Sequence, residues 1–354
     1  MPAGFARLTV QAVERLTADA VAVTFAVPGD LAATYRFAPG QHLTLRRTVD
    51  GQDLRRTYSV CASAAGGPLR VAVKRLEGGA FSTWLTGSLR AGDELDVAPP
   101  AGSFGPRVDP GRSRRYGLVA AGSGITPLLS IAATVLDVEP ASTVTLLYGN
   151  RTQGSVMFLD ELADLKDRHP QRLQLLHVLS REEQDSELLS GRLDGARLSR
   201  LLATLVPAAE VDEWYLCGPF VMVTEGRQAL LDAGVDAAVV HTELFHADAP
   251  PPRPPRAAGA VAGTSVVHAQ LYGRTTTLTV ERDGIPVLDA LLAVRPDAPY
   301  ACKGGVCGTC RARVLSGAVE MDVNWALEPD EVATGVVLTC QAHPTTDVVR
   351  LSYL

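Results

Sequence analysis

The chain lacks any run of about 18 apolar residues that could span a bilayer. Its opening residues, MPAGFARLTV, contain no basic leader ahead of an apolar stretch. A cytoplasmic protein with no membrane partner is therefore expected. Positive charge is also scarce: 33 Lys and Arg stand against 39 Asp and Glu, a formal net charge of −6. A nucleic-acid binder draws its affinity from a basic face that neutralises phosphates, so that class is disfavoured. Six cysteines among 354 residues are too few for a disulfide scaffold. No internal repeat of fixed period is visible. With 46% hydrophobic and 20% charged residues the chain lies far from the regime of disorder. Its length exceeds what one core usually supports, so two or three domains are expected.

Residues 247–264 are rich in Pro, Ala and Gly, a composition that favours extended polyproline conformations and acts as a spacer. Ahead of it, residues 1–110 carry short β-rich runs separated by Gly, Pro and Asp, and these read as an antiparallel β-barrel. From about residue 111 to 246 strands alternate with helices, one expected from Pro127 to about Leu136 and another near Phe158 to Lys166. That alternation predicts an α/β domain with a parallel sheet. Residues 265–354 read as a small α+β module, with a hairpin followed by an amphipathic segment and a cysteine-rich loop.

Cys302, Cys307 and Cys310 are spaced C-x4-C-x2-C, and Cys340 follows after 29 intervening residues. Four thiolates in this order are the plant-type arrangement for a [2Fe–2S] cluster. Gly304, Gly305 and Gly308 between them let the backbone wrap closely and aim N–H groups at sulfur. A four-cysteine zinc site is the alternative, although such sites usually show two short C-x2-C pairs.

In the barrel, Arg56 and Tyr58 of an R-x-Y-S tetrad ending at Ser59 share one face of a strand. A cation for a pyrophosphate and an aromatic ring for an isoalloxazine can thus address one ligand. About twenty residues on, Gly78, Gly79, Ala80, Phe81 and Ser82 form a glycine-rich turn opening a helix, whose N–H groups attract phosphate. Together the two motifs point to FAD.

The strand before Gly122 leads into Gly122, Ser123, Gly124, Ile125, Thr126 and Pro127, with proline where a dinucleotide fingerprint has its third glycine. Cys217, Gly218 and Pro219 end a second strand. Two glycine turns at the carboxyl ends of parallel strands mark a nicotinamide site. Arg151, Ser180 and Arg181 at neighbouring strand ends suit a 2′-phosphate and favour NADPH, while Glu182 leaves NADH open.

This assembly resembles the ferredoxin–NADP reductase superfamily fused to a plant-type ferredoxin, across essentially the whole chain. Local wording at ProTyrAlaCysLysGlyGlyValCysGlyThrCys and LeuGluProAspGlu resembles the reductase subunits of ring-1,2-phenylacetyl-CoA epoxidases, which feed NADPH electrons to a separate di-iron oxygenase. The reductase component of another ring- or steroid-hydroxylating oxygenase is the alternative. By this resemblance Arg56, Tyr58 and Ser59 hold the flavin, and Gly79 and Ser82 its pyrophosphate. Thr126 and Cys217 flank the nicotinamide, and Phe245 covers the flavin. Ser59, Cys217 and Glu243 then fall at the reacting centre. In single-unit reductases the aromatic ends the chain, whereas here the Pro-rich stretch follows it.

Overall fold

A computed structural model describes residues 4–49, 52–245 and 263–354. Most of the spacer expected over residues 247–264 lies outside the described residues. The chain divides into two compact units, one formed mainly by the first two domains and the other mainly by the C-terminal domain.

The first domain is a six-stranded sheet built from β1 (Ala6–Thr17), β2 (Ala20–Ala26), β3 (His42–Val49), β4 (Gln52–Ser59), β5 (Arg70–Lys74) and β6 (Glu94–Val97), with α1 (Ala80–Ser88) between the last two. Their order is β4-β3-β6-β1-β2-β5. A bridge from Val60 to Val71 joins the two edges, closing the sheet into a barrel with no free edge there. Strand residues alternate inward, so Leu8, Val10, Val21, Val23, Leu43, Leu45, Val71 and Val73 meet in one core capped by Phe81 and Leu85 of α1.

The second domain comprises β7 (Arg115–Ala121), α2 (Ile125–Val138), β8 (Thr143–Asn150), α3 (Leu159–Arg168), β9 (Leu173–Leu179), α4 (Gly195–Thr204), β10 (Glu213–Gly218), α5 (Phe220–Asp232) and β11 (Val240–Leu244). The sheet is parallel in the order β11-β10-β7-β8-β9. The order reverses at β7, which makes the carboxyl ends of β7 and β10 the candidate ligand site. Both expected helices are present, and each extends about two residues beyond its expected C-terminus. α4 and α5 carry no comparably clear signal in the sequence.

The C-terminal domain contains β12 (Thr264–Leu271), β13 (Arg274–Glu281), α6 (Val287–Leu292), β14 (Arg311–Ser316), β15 (Val319–Met321), α7 (Pro329–Ala333), β16 (Val336–Leu338), β17 (Ala342–Pro344) and β18 (Val348–Tyr353). The expected hairpin is β12–β13, turning at Tyr272 and Gly273 with φ of 52° and 75°. Two consecutive positive φ values match the right-handed twist of the strands they join. β12 and β18 pair in parallel at the centre of a mixed five-stranded sheet, against which α6 packs Leu288 and Leu291.

Candidate functional site

The carboxyl ends of β7 and β10 lie in register, and the turns that follow them touch. A Cβ on Gly124 would stand 2.1 Å from the Cys217 carbonyl oxygen. Glycine is required there by close approach rather than by its backbone angle, since its φ is −62°. Gly122 does adopt a left-handed φ of 54°, and its carbonyl accepts from the Tyr148 hydroxyl at 3.0 Å. Thr126 is buried and spends its hydroxyl proton on the Ser123 carbonyl at 3.1 Å, closing the turn from within. Pro219 precedes the first turn of α5, and Gly218 accepts at its carbonyl from the Phe245 N–H at 3.1 Å. Phe245 is thereby held at the end of β10 and packs against the core of the α/β domain.

Ser59, Cys217 and Glu243 converge. Cys217 pairs with Glu243 across β10 and β11, and the Ser59 hydroxyl donates to the Glu243 carboxylate at 3.2 Å. The Cys217 thiol is pushed well up by its burial, with Glu243 adding to the effect. Glu243 is raised to about 8 by burial, while the Ser59 hydrogen bond pulls the other way. A carboxyl whose folded pKa exceeds its unfolded value contributes full stability below the unfolded pKa and loses it as pH rises through the folded one. The parent without flavin should therefore lose up to about 1.4 kcal/mol per pH unit between roughly pH 4.5 and 8 from this group. Glu243→Gln should remove that share of the slope, giving a variant that gains on the parent at pH 8 and not at pH 4. Urea melts at the two pH values measure it, and parallel curves would count against the burial of this carboxyl.

Arg56 is exposed, with its guanidinium against the Arg55 carbonyl at 2.7 Å. The Tyr58 ring stacks on Phe81 with centroids 6.1 Å apart, and Phe81 meets Trp84 edge-on. Phe81 is thus a buried wall of the barrel, so its side chain supports Tyr58 and only its backbone belongs to the turn. Ser82 behaves similarly, accepting from Leu76 N–H at 3.1 Å and donating to the Gly79 carbonyl at 3.2 Å. A Cβ on Gly79 would strike Ser82 Oγ at 2.7 Å, which explains the glycine. The first turns of α1, α2 and α5 have no side-chain cap, in contrast to α4, where Asp194 accepts from Arg197 N–H. Helix N-termini at one barrel turn and two sheet turns would suit phosphates of a flavin and a nicotinamide dinucleotide; in α2 the Ile125 N–H is already taken by the Gly122 and Ser123 carbonyls and Pro127 has none, so the α2 turn offers the fewest donors.

At the ends of β8 and β9, Ser180 N–H donates to Asn150 O at 2.9 Å and Arg181 N–H to Arg151 O at 2.8 Å. Arg151, Ser180 and Arg181 are consequently neighbours, all exposed. Glu182 turns away to accept from Gln153 N–H at 2.9 Å.

Several contacts in and around the site have no signature in the sequence. Arg70 of β5 is clamped between Glu14 and Glu161, each at 2.6 Å, and so ties the barrel to the first turn of α3. Ser130 and Thr134 of α2 hold the Ala62 carbonyl and the Ala64 N–H, at 2.7 and 2.8 Å, just beyond Ser59. Arg47 lies 3.7 Å over the Trp84 ring beside α1. No local pattern marks such pairings, because the partners are distant in sequence.

In the C-terminal domain the four cysteines form two pairs. Cys302 is drawn down to about 5, first by its hydrogen bond with Cys307 and further by the N–H groups of Gly304, Val306 and Cys307. Gly304 N–H reaches Cys302 Sγ at 3.3 Å. Cys340 is lowered first by its bond with Cys310, and the partner thiols Cys307 and Cys310 are pushed up correspondingly. Among the described residues no three Cys, His, Asp or Glu side chains gather about one point as a mononuclear ion requires. Two thiol pairs with backbone N–H groups aimed at sulfur fit a binuclear cluster, with two thiolates for each iron, better than tetrahedral zinc.

Residues 7–105 match the oxidoreductase FAD-binding domain, residues 118–228 the oxidoreductase NAD-binding domain and residues 269–345 the 2Fe-2S iron-sulfur cluster binding domain. The chain is 48% identical to a component of the 1,2-phenylacetyl-CoA epoxidase of Escherichia coli K12, covering 98% of this chain and 97% of that one. It belongs to the reductase components of multicomponent oxygenases. A second member, the ferredoxin reductase component of 3-ketosteroid-9-alpha-monooxygenase from Rhodococcus rhodochrous, is 35% identical over 98% of this chain and 96% of that one. Phthalate dioxygenase reductase shares the three-domain fold with a TM-score of 0.59 at 23% identity, covering 99% of this chain and 98% of that one. This reductase is an oxidoreductase with FAD-, NAD- and 2Fe-2S-binding domains. Among the described residues, no helix is long and apolar enough to cross a membrane.

Proposed function

We propose that this reductase draws electrons from NADPH and delivers them to the di-iron oxygenase of a phenylacetyl-CoA epoxidase system in the cytoplasm. The end-to-end 48% identity to an epoxidase component carries the reading. The 35% identical ketosteroid monooxygenase reductase supports the second reading, a steroid-hydroxylating partner. Reconstitution with each oxygenase decides: product from phenylacetyl-CoA alone supports the first, and coupling only to steroid hydroxylation overturns it.

In this reading residues 1–110 hold FAD, residues 111–246 the nicotinamide, and residues 265–354 the cluster on Cys302, Cys307, Cys310 and Cys340. Bound flavin supplies the conversion of a two-electron hydride donor into single electrons that a [2Fe–2S] centre can take. Arg56 and the N–H groups after Gly79 would hold the pyrophosphate, and Tyr58, braced by Phe81, would hold the ring. Ser59 holds Glu243 in place and positions its proton. Gly122, Gly124, Gly218 and Pro219 let backbone approach the nicotinamide dinucleotide, with Thr126 and Cys217 shaping the pocket floor. Phe245 would cover the flavin and keep water from it.

Preference for NADPH follows from the two neighbouring arginines and from Glu182 being engaged with Gln153 N–H. Arg181→Ala should raise the NADPH KM by about 10- to 150-fold, as loss of a charged hydrogen bond of roughly 1.5–3 kcal/mol implies, with little change for NADH. Steady-state kinetics with both dinucleotides test this, and equal efficiency in the parent would refute the preference.

A further inference from the structure

Gln341, directly after the fourth cysteine, is fully buried, although a primary amide is costly to take out of water. Its side-chain nitrogen donates to the Lys303 carbonyl at 3.0 Å and to Cys340 Sγ at 3.4 Å. The orientation of the amide is determined by chemistry, since a carbonyl only accepts and the nitrogen alone can face it. The amide oxygen meanwhile is buried with no hydrogen-bond partner among the described residues. An unpaired buried acceptor is costly, so the site keeps the amide despite that cost. The backbone around it is held on both sides, Gln341 N–H by Leu338 O at 2.9 Å and Gln341 O by Asp322 N–H at 3.0 Å. Gly305 also makes room for it: a Cβ there would meet Gln341 Cγ at 3.1 Å. Lys303, whose φ is 53° without being glycine, has its carbonyl anchored by the same amide. One side chain thus links the first ligand loop to the sulfur of the last ligand.

We propose that Gln341 is a positioning residue that raises the reduction potential of the cluster by donating a hydrogen bond to the Cys340 sulfur; this inference rests on the four-cysteine cluster reading above. The physical reason is a difference between redox states. A one-electron reduction places more negative charge on the cluster and its sulfurs, and a donor aimed at sulfur stabilises the more charged state further. Burial strengthens the effect, because little water is present to screen it. The residue touches a ligand rather than iron or substrate, in the way second-shell partners tune a metal centre.

The test uses the full-length holoenzyme. Iron and sulfide are first measured in the parent, and their absence would defeat the cluster reading itself. Gln341→Met keeps the length and bulk and removes the donor. In dithionite titrations followed by electron paramagnetic resonance, its ratio of reduced to oxidised cluster at a fixed potential should fall about tenfold, a shift of about 59 mV for one electron. The flavin midpoint should stay where it is in the parent. An unchanged or raised cluster midpoint in a variant with full iron and sulfide overturns the proposal, whereas a purely structural role would lower cluster content without moving the midpoint. Should Gln341→Met fail to assemble a cluster, parent protein carrying glutamine labelled with ¹⁵N in its side-chain amide is reduced instead. A ¹⁵N coupling to the reduced cluster in spin-echo spectra supports the contact, and its absence overturns it.

Discussion

Cys307→Ser is expected to leave NADPH-dependent ferricyanide reduction within about twofold of the parent while electron delivery to the oxygenase falls at least tenfold, because hydride chemistry resides with the flavin and onward transfer with the cluster. Cys307 belongs to the thiol pair with Cys302, so its loss leaves one iron with a single thiolate. The damage should remain local. The barrel core is drawn from residues 8–97, and the α/β core takes its residues from the first two domains, none from residues 263–354. Cys310 and Cys340 lie inside the core of the C-terminal domain with Leu288, Leu291 and Leu338, so cluster loss should also lower that domain's stability. From residue 265 to 354 there are seven Lys or Arg and ten Asp or Glu, a net of −3. A complementary basic surface on the oxygenase is expected, and coupled turnover should then fall with salt more steeply than ferricyanide reduction. Iron content, both assays and their salt dependence are the measurements. Coupled oxygenation surviving in the variant would mean that electrons bypass the cluster.

Gly124→Ala should also be damaging, by a different route. The new methyl would lie 2.1 Å from the Cys217 carbonyl oxygen and 2.7 Å from Gly218 N. Both are backbone atoms, which cannot rotate aside, so α2 must retreat from β10. Overpacking of this kind costs about 1–3 kcal/mol, and contact with main chain places it at the upper end. The same retreat separates the two turns of the proposed nicotinamide site. A displacement near 1 Å at a reacting centre can cost about 100-fold in rate, and a loss of that order in NADPH kcat/KM is expected. Gly87→Ala on the exposed side of α1 is the control, since its Cβ meets nothing within 4 Å. There the helix should gain roughly 0.5–1 kcal/mol and activity should hold. Denaturant melts and steady-state kinetics on both variants make the comparison, and a Gly124→Ala protein as stable and active as the parent would remove the close-approach argument.

What could be read from the sequence was local in origin. The cysteine spacing, the glycine turns, the R-x-Y-S tetrad and the change from period-two to period-3.6 patterning each lie within a few residues of one another, where spacing alone carries geometry. They suffice for three domains of the types observed and for the main cofactor families. The limits are equally physical. The helices α4 and α5 went unnamed because α5 carries Gly226 and a mixed face, and α4 follows a long irregular stretch from Ser180 to Asp194.

Other features depended on contacts between residues far apart in the chain. Sequence could name Ser59 and Glu243 singly, but only the packing of barrel against sheet brings them to 3.2 Å across 184 residues and gives the carboxyl its raised pKa. The Arg70 clamp on Glu14 and Glu161, the turn of Glu182 toward Gln153 and the reach of Gln341 back to Lys303 arise in the same way. Phe81 and Ser82 likewise make contacts their motif did not reveal, the Phe81 ring in the barrel core against Tyr58 and the Ser82 hydroxyl within its own turn. Sequence determined which chemical groups this reductase carries and in what order. Tertiary structure decided which of them meet, because burial, hydrogen-bond partners and close approach are properties of pairs that the linear chain keeps apart.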